Sequence, residues 1–192
     1  ITSLTLNSAN IAEMPEVKFA TMNYLNLNYN NIANFPDFVG GVAPVLTDLR
    51  LRSNKFYQSE IAAERKLRAD ASGNTILDKI PTTVQYLDIS GNFYGSIDDN
   101  IFANRFSSLK TLHLGRSGGA YFHPDDRTST VPNVSPTVEH FYIYSNDFRR
   151  FGAGNGTTQR NVRQLDDIKT LYLGSNYYLE NKFADGSDFN ID

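Results

Sequence analysis

The sequence predicts an α/β repeat protein in which short strands lie beside copies of themselves. Three observations support this fold class. An apolar spacing, clearest in the stretch from Val84 to Tyr94, occurs seven times along the chain. An Asn recurs at a fixed place after most of these copies. The segments between the copies are long enough to return the chain, and one of them has the features of a helix.

The apolar spacing predicts one short strand in each copy. Residues two apart, such as Leu87 and Ile89, lie on the same side of an extended chain. A strand this short with one apolar face is stable only beside its copies, so the copies are expected to share a sheet. The first, fourth and sixth positions are apolar in 21 of 21 cases in a chain that is 40% hydrophobic, counted from Ile1, Met22, Leu46, Val84, Leu109, Val138 and Ile168.

The ninth position is Asn in five of the seven copies, with Ala9 and Ser117 as the exceptions. An Asn amide can donate and accept hydrogen bonds at once. Where the chain turns away from the strand, backbone N–H and C=O groups are left inside, and an Asn in each turn can satisfy those of its own turn and its neighbour's. The predicted ladder consists of Asn30, Asn54, Asn92, Asn146 and Asn176.

The pattern resembles that of the leucine-rich repeat family, LxxLxLxxNxL, from Ile1 to about Tyr178. This resemblance implies a curved right-handed solenoid with a parallel sheet on its concave face, irregular or helical arms on the convex side, and protein recognition without catalysis. Two features depart from the family pattern. The copies are spaced by 21, 24, 38, 25, 29 and 30 residues, against about 20 to 29 in the family. The fifth copy has Ser117 and Gly119 where Asn and an apolar residue are expected.

A single domain over residues 1–192 is expected, since continuous repeats pack on their nearest neighbours. The chain starts at position one of a repeat, and terminal repeats normally carry polar caps, so we expect a segment of a longer chain. A net charge of −3 and a pI near 5.6 argue against nucleic-acid binding. The absence of Cys excludes disulfides and thiolate metal sites. No run of apolar residues is long enough to span a membrane.

The segments between the copies are less regular. Residues 59–73 predict a helix with Ser59 as N-cap and Gly73 at its end, either solvated or bound to a partner. Residues 95–109 predict a return arm with Phe102 and Phe106 in the core. Residues 120–136 predict a polar loop, and whether this loop and the arm 57–81 are functional stays open. Three glycines in residues 149–167 lack the Lys-Ser/Thr pair of a phosphate loop and predict a flexible turn.

Positions three, five, seven and eight of each copy are expected to project from the sheet into solvent. They hold six of the 11 tyrosines in the chain, and Tyr and Arg are enriched at binding hot spots. The alternative is that Tyr simply favours strands. The residues predicted to bind a partner are Tyr24, Tyr29, Arg50, Arg52, Tyr86, Asp88, His113, Arg116, His140, Tyr142, Tyr144 and Tyr172.

Neighbours in a parallel sheet stand about 4.8 Å apart, which predicts particular contacts on this face. Arg50 is expected to form a surface ion pair with Asp88. Tyr142 is expected beside Tyr172, and these two with Tyr144 form the preferred contact patch. His113 and His140 would need a third ligand to hold zinc, so no metal site is predicted.

The predicted function is that of a non-catalytic module that binds a protein, or a glycan that stacks on its aromatic side chains. The alternatives are a structural or assembly component of a virion or bacterial cell surface, and a regulatory domain attached to a catalytic one. No nucleophile, base and orienting group can be assembled, since HExxH and Cys are both missing. No cofactor is predicted. The composition leaves the location open and favours a cell surface or virion over the cytoplasm.

Overall fold

The main feature of the fold is one sheet of seven parallel strands. This computed structural model describes residues 1–14, 18–34, 43–57, 68–92, 100–115, 130–146, 150–151 and 168–176. The prediction of seven short parallel strands in an α/β-type fold is confirmed. The strands of this sheet are β1 (Ser3–Thr5), β2 (Tyr24–Asn26), β3 (Asp48–Arg50), β4 (Tyr86–Asp88), β5 (Thr111–His113), β7 (His140–Tyr142) and β9 (Thr170–Tyr172).

The strands pair in chain order with a constant register. The middle residues of neighbouring strands are Cα partners throughout, from Leu4 on β1 to Leu171 on β9. The fourth position of every copy therefore stands in a single row on one face of the sheet. This row is buried in the middle strands and partly buried at the two edges, where Leu4 and Leu171 lie.

The hydrophobic core lies against that face. The row at position six of the copies joins it, and Leu27, Leu51 and Ile89 are fully buried there. Phe56 and Phe106 are among the largest buried side chains. The core stabilises strands of only three residues. The segments that return the chain pack over the apolar side chains of each strand and remove them from water.

Two short helices stand among the described residues, α1 (Ile76–Lys79) and α2 (Ile101–Arg105). Asp78 caps the start of α1, since its Oδ2 accepts hydrogen bonds from the backbone N–H and the hydroxyl of Thr75 at 2.8 and 2.9 Å. Arg105 at the end of α2 donates to the carbonyls of Leu77 at 2.8 Å and Ile80 at 3.0 Å. The two helices are thereby joined. In the described part of the chain, no helix is long and apolar enough to cross a membrane.

The helix predicted over residues 59–73 is wrong in its final part. Residues 68–73 are not helical, and Ala69 forms an antiparallel bridge with Thr75. The side chain of Asp70 accepts the backbone N–H groups of Ser72 and Asn74, both at 2.9 Å, which stabilises a turn in competition with a helix. Gly73 occupies this turn at φ +83°. The start of the predicted helix, residues 59–67, lies outside the described residues.

The predicted loop over 120–136 is also partly wrong. Its last residues contain β6 (Thr130–Val131), which pairs in parallel with β8 (Arg150–Phe151) in a second small sheet. Val131 and Val134 are buried in the core. Their apolar side chains anchor this segment, although the polar residues around them are typical of a loop. Residues 120–129 and, apart from β8, the predicted turn 149–167 lie outside the described residues, as do residues 95–99.

Candidate functional site

We call the side of the sheet opposite the core the outer face. It carries the side chains that alternate along each strand with the buried row. Its residues differ widely in exposure. Tyr172 is 53% exposed and Tyr29 is 50% exposed, whereas Asp88 is only 8% exposed. The prediction that Asp88 projects freely into solvent is therefore wrong. Arg116, also predicted on this face, lies outside the described residues.

Arg50 is held from three sides. Its Nε and Nη2 donate to the two carboxylate oxygens of Asp48 at 2.9 and 3.0 Å. Its guanidinium lies 4.5 Å from the ring centre of Tyr86 and 5.3 Å from that of Tyr24, within the range of a cation–π contact. The hydrogen bonds that Arg50 donates to Asp48 raise the pKa of Arg50, so it is charged at any ordinary pH.

The predicted ion pair between Arg50 and Asp88 is wrong, although the two residues are Cα partners. Asp48 lies two residues before Arg50 on the same side of β3, where its carboxylate matches the fork of the guanidinium. Asp88 instead accepts the backbone N–H of Ser90 at 2.9 Å. Arg50 thus pairs with Asp48 on its own strand, through two hydrogen bonds, and not with Asp88 on the neighbouring strand.

Aromatic rings continue from Tyr86 across the next two strands. Tyr86 Oη lies 3.1 Å from Nε2 of His113. The His113 ring stacks on Tyr142 with ring centres 4.2 Å apart and an interplanar angle of 5°. Tyr24, Arg50, Tyr86, His113 and Tyr142 thus form one continuous group, which we call the closed stack. Each member of the closed stack contacts at least one other member through a cation–π contact, a hydrogen bond or ring stacking.

Burial sets the protonation of the closed stack. Burial, helped by the charge of Asp88, raises the pKa of Tyr86 to about 12. Burial also lowers the pKa of His113, and the positive charges of Arg50 and Arg52 act in the same direction, while Asp88 opposes them. His113 is therefore neutral at neutral pH and can accept or donate a single hydrogen bond at Nε2 according to its tautomer.

Tyr144 and Tyr172 form a separate aromatic pair near the end of the sheet. Their ring centres are 5.9 Å apart and the planes meet at 61°, an edge-to-face arrangement. The Tyr144 ring lies directly over Gly115, where an added Cβ would stand 2.2 Å from Cζ of the ring. The absence of a side chain at Gly115 makes the seat for Tyr144. Tyr142 and Tyr172 are Cα partners, as predicted. Their rings do not pack together, however, because the Tyr142 ring stacks on His113 and the Tyr172 ring packs against Tyr144. The predicted three-tyrosine patch is therefore divided.

Arg52 and Tyr29 make the third contact on this face. The Arg52 guanidinium lies 5.7 Å from the ring centre of Tyr29. The backbone N–H of Arg52 donates to Oδ1 of Asn28 at 2.8 Å, and the N–H of Tyr29 donates to the carbonyl of Arg52 at 2.7 Å. These bonds tie the end of β2 to the end of β3 and fix the spacing of the two side chains.

Position eight of the copies shares a backbone feature that sequence reasoning missed. The residue there has a left-handed conformation in every copy in which it is described. Gly adopts this conformation without steric cost, and bulky residues rarely adopt it, so the recurrence of Ser and Gly at this position was the available signal. The exception is Tyr29, a bulky residue in a conformation that such residues rarely adopt. The φ values are 52° at Ser8, 58° at Tyr29, 55° at Ser53, 73° at Gly91, 55° at Ser145 and 60° at Ser175.

The Asn side chains at position nine connect successive turns beneath the face. The Nδ2 of Asn54 donates to the carbonyl of Leu51 in its own turn at 2.9 Å and to that of Leu27 in the preceding turn at 3.0 Å. The N–H of Asn54 donates in turn to Oδ1 of Asn92 at 2.8 Å. Asn30, Asn92 and Asn176 donate to the same two kinds of carbonyl, and Asn146 donates to Leu114 and Tyr144.

The two histidines of this face are engaged separately. His140 Nδ1 lies 3.0 Å from the hydroxyl of Thr170 on β9, and His113 lies between Tyr86 and Tyr142. Among the residues that the structure describes, no three His, Cys, Asp or Glu side chains stand together in a way that could hold a metal ion.

No protein-family model matches the chain, and no curated protein matches it.

Proposed function

We propose that this chain is a leucine-rich-repeat solenoid that binds a protein partner, without catalysis, through the outer face of its sheet. The solenoid is supported by seven strands in chain order with a constant register. It is further supported by Asn side chains that donate to their own turn and the preceding one. Both features are what a stack of similar turns requires, because each turn then buries its apolar and polar groups against its neighbours.

The main support for a binding role comes from the pair of Tyr144 and Tyr172. Each ring has another ring on one side, and Tyr172 remains 53% exposed. A Tyr ring has few rotatable bonds, so a ring already seated on Gly115 loses little conformational entropy when a partner covers it. The closed stack beside the pair supplies a rigid support, since Tyr142 is stacked on His113.

A protein partner fits the charge and polarity of the face. The charges of Arg50 and Asp48 cancel within one ion pair, so among the described residues of this face rings predominate and Arg52 is the remaining cation. The cores of protein interfaces have this composition, with aromatic residues enriched and charged residues depleted. A glycan would contact the same rings, and the experiment below separates the two.

The test is the double variant Tyr144→Ala and Tyr172→Ala in a capture experiment. Wild-type chain is immobilised, proteins of the source cells are passed over it, and retained proteins are quantified by mass spectrometry. Truncation of a central aromatic residue commonly costs more than about 2 kcal/mol of binding, so we expect the specific partner to be lost at least tenfold. Tyr142 stays intact because its ring supports His113.

The matched control is Val45→Ala, which shortens an exposed apolar side chain, 46% exposed, in the turn before β3. It should retain the partner as the wild type does. Equal retention by the double variant, with its fold intact by circular dichroism, would sink the proposal and favour an assembly role. Retention abolished by deglycosylation of the captured protein would identify a glycan.

A further inference from the structure

Arg52 is a cation on the outer face, and the described part of the chain supplies it with no acidic partner. Among the residues that the structure describes, no carboxylate forms an ion pair with its guanidinium. The carboxylates of the neighbouring strands are already used. Asp48 binds Arg50 through both oxygens, and Asp88 is buried and accepts the N–H of Ser90. The positive charge of Arg52 is therefore left uncompensated by the residues that the structure describes.

The surroundings of Arg52 hold its guanidinium in place without neutralising it. The Tyr29 ring stands 5.7 Å from the guanidinium, so the cation is steadied by a π-face. Tyr29 is 50% exposed and keeps a left-handed backbone at φ 58°. Position eight of the other described copies has the same backbone conformation, so the turn itself holds Tyr29 in place beside Arg52.

Asn28 adds a second donor. Its Oδ1 accepts the backbone N–H of Arg52 at 2.8 Å, which fixes the plane of the amide. Its Nδ2 is the opposite end of the same planar group and forms no hydrogen bond with any residue in the described ranges. Asn28 and Arg52 each stand two residues after the end of a strand, β2 and β3 respectively, so the amide and the guanidinium supply donors side by side just beyond the two strand ends.

We propose that Arg52, assisted by Asn28 and Tyr29, binds the carboxylate of an acidic side chain, Asp or Glu, on the protein partner. The planar fork of an Arg matches two carboxylate oxygens. A single uncompensated charge fits one such group, whereas nucleic acids and anionic membranes are bound by clusters of cations. This inference rests on the proposed function, since it names the chemistry of the partner that covers the outer face.

The test follows the Nε–Hε resonances of arginine by NMR during titration with small probes. The probes are N-acetyl-Gly-Glu-Gly-amide, the same peptide with Gln in place of Glu, and methyl glucuronide. We expect the Arg52 resonance to shift to saturation with the Glu peptide and to stay in place with the Gln peptide. The Arg50 resonance should remain unchanged, since Asp48 occupies its fork.

Arg52→Gln should weaken binding of the Glu peptide about tenfold, because a charge-assisted hydrogen-bond pair is lost. The matched control is Lys110→Gln, which removes one exposed positive charge just before β5 and should leave the affinity within twofold of the wild type. Dispersed amide spectra establish that both variants are folded.

Three outcomes would overturn the inference. The first is equal, non-saturating shifts of Arg50 and Arg52, which indicate a general ionic effect. The second is equal binding of the Glu and Gln peptides. The third is a glucuronide that binds at least as tightly as the Glu peptide, which would assign the site to an acidic sugar. Because the probes do not involve the captured partner, these failures are separate from a failure of the Tyr144 and Tyr172 test.

Discussion

Two arginines of the same strand end differ in what surrounds them. Arg50 has a bidentate carboxylate and two tyrosine rings within reach, whereas Arg52 has one ring and, in the described part of the chain, no carboxylate. They are two residues apart and lie on the same face. The difference shows that placement on a face does not make a side chain available to a partner, since its neighbours can use it first.

The tyrosines divide in the same way. Tyr86 and Tyr142 are members of the closed stack, each in contact with His113. Tyr29 and Tyr172 are about half exposed. Under the proposed function, the closed stack contributes rigidity, and the open residues, Tyr29 and Tyr172, contribute contact area. The two groups should respond differently to substitution, the first in stability and the second in binding.

The largest expected effect on stability is that of Asp48→Ala. Arg50 would keep its charge on a partly buried face without its acceptor, and loss of a charge-assisted hydrogen-bond pair costs about 1 to 2 kcal/mol. The free energy of unfolding, measured by urea denaturation, should fall by this amount. The comparison variant is Arg52→Gln, which should stay within about 0.5 kcal/mol of the wild type. If both variants are destabilised equally, the two arginines are not distinct in the way described.

A smaller effect is expected from pH through His113. Its pKa in the folded chain is lowered by burial from the ordinary value of 6.5, so the unfolded chain binds more protons between the two values. Stability should therefore fall as the pH drops below about 6.5 and level off once the pH is below the folded pKa.

The measurement is the NMR titration of His113 together with urea denaturation between pH 8 and pH 5. His113→Gln should remove part of the pH dependence in this window while leaving the loss at lower pH, where carboxylates titrate. A His113 ring that titrates above 6.5 would contradict a buried position in the closed stack.

The smallest effect on stability belongs to Gly115→Ala, beneath the Tyr144 ring. The new methyl group would occupy the seat of the Tyr144 ring, and a ring at the end of a flexible side chain can swing away. We expect a loss of no more than about 1 kcal/mol, with displaced NMR shifts of the Tyr144 and Tyr172 rings and weaker partner capture. Unchanged ring shifts would show that the seat does not position Tyr144.

The sheet was predictable from the sequence because its cause is local and repeated. A period of two within each strand and a row of leucines such as Leu25, Leu49 and Leu87 determine which face is buried, and burial of that face determines the register. The pairing of side chains on the outer face was not predictable in this way. Asp48 is close to Arg50 in sequence, and Asp88 is close to it across the sheet. The side-chain rotamers decide which of the two carboxylates pairs with Arg50, and the sequence pattern does not specify them.

Local competition limited the prediction of the segments between strands. Residues 68–73 have helical propensity, yet the Asp70 carboxylate accepts two N–H groups and forms a turn. Val131 and Val134 are buried among polar neighbours whose composition is typical of a loop. In both places one or two side chains override the average character of their segment.

The left-handed residue at position eight has a consequence for Tyr29. Serine or glycine fills the other described turns at this place, and glycine relieves such a conformation because it has no Cβ. The proposed binding role and the ease of folding thus make opposite demands on this one residue. Tyr29→Gly should relieve the backbone at this turn and at the same time remove the ring that lies 5.7 Å from the Arg52 guanidinium.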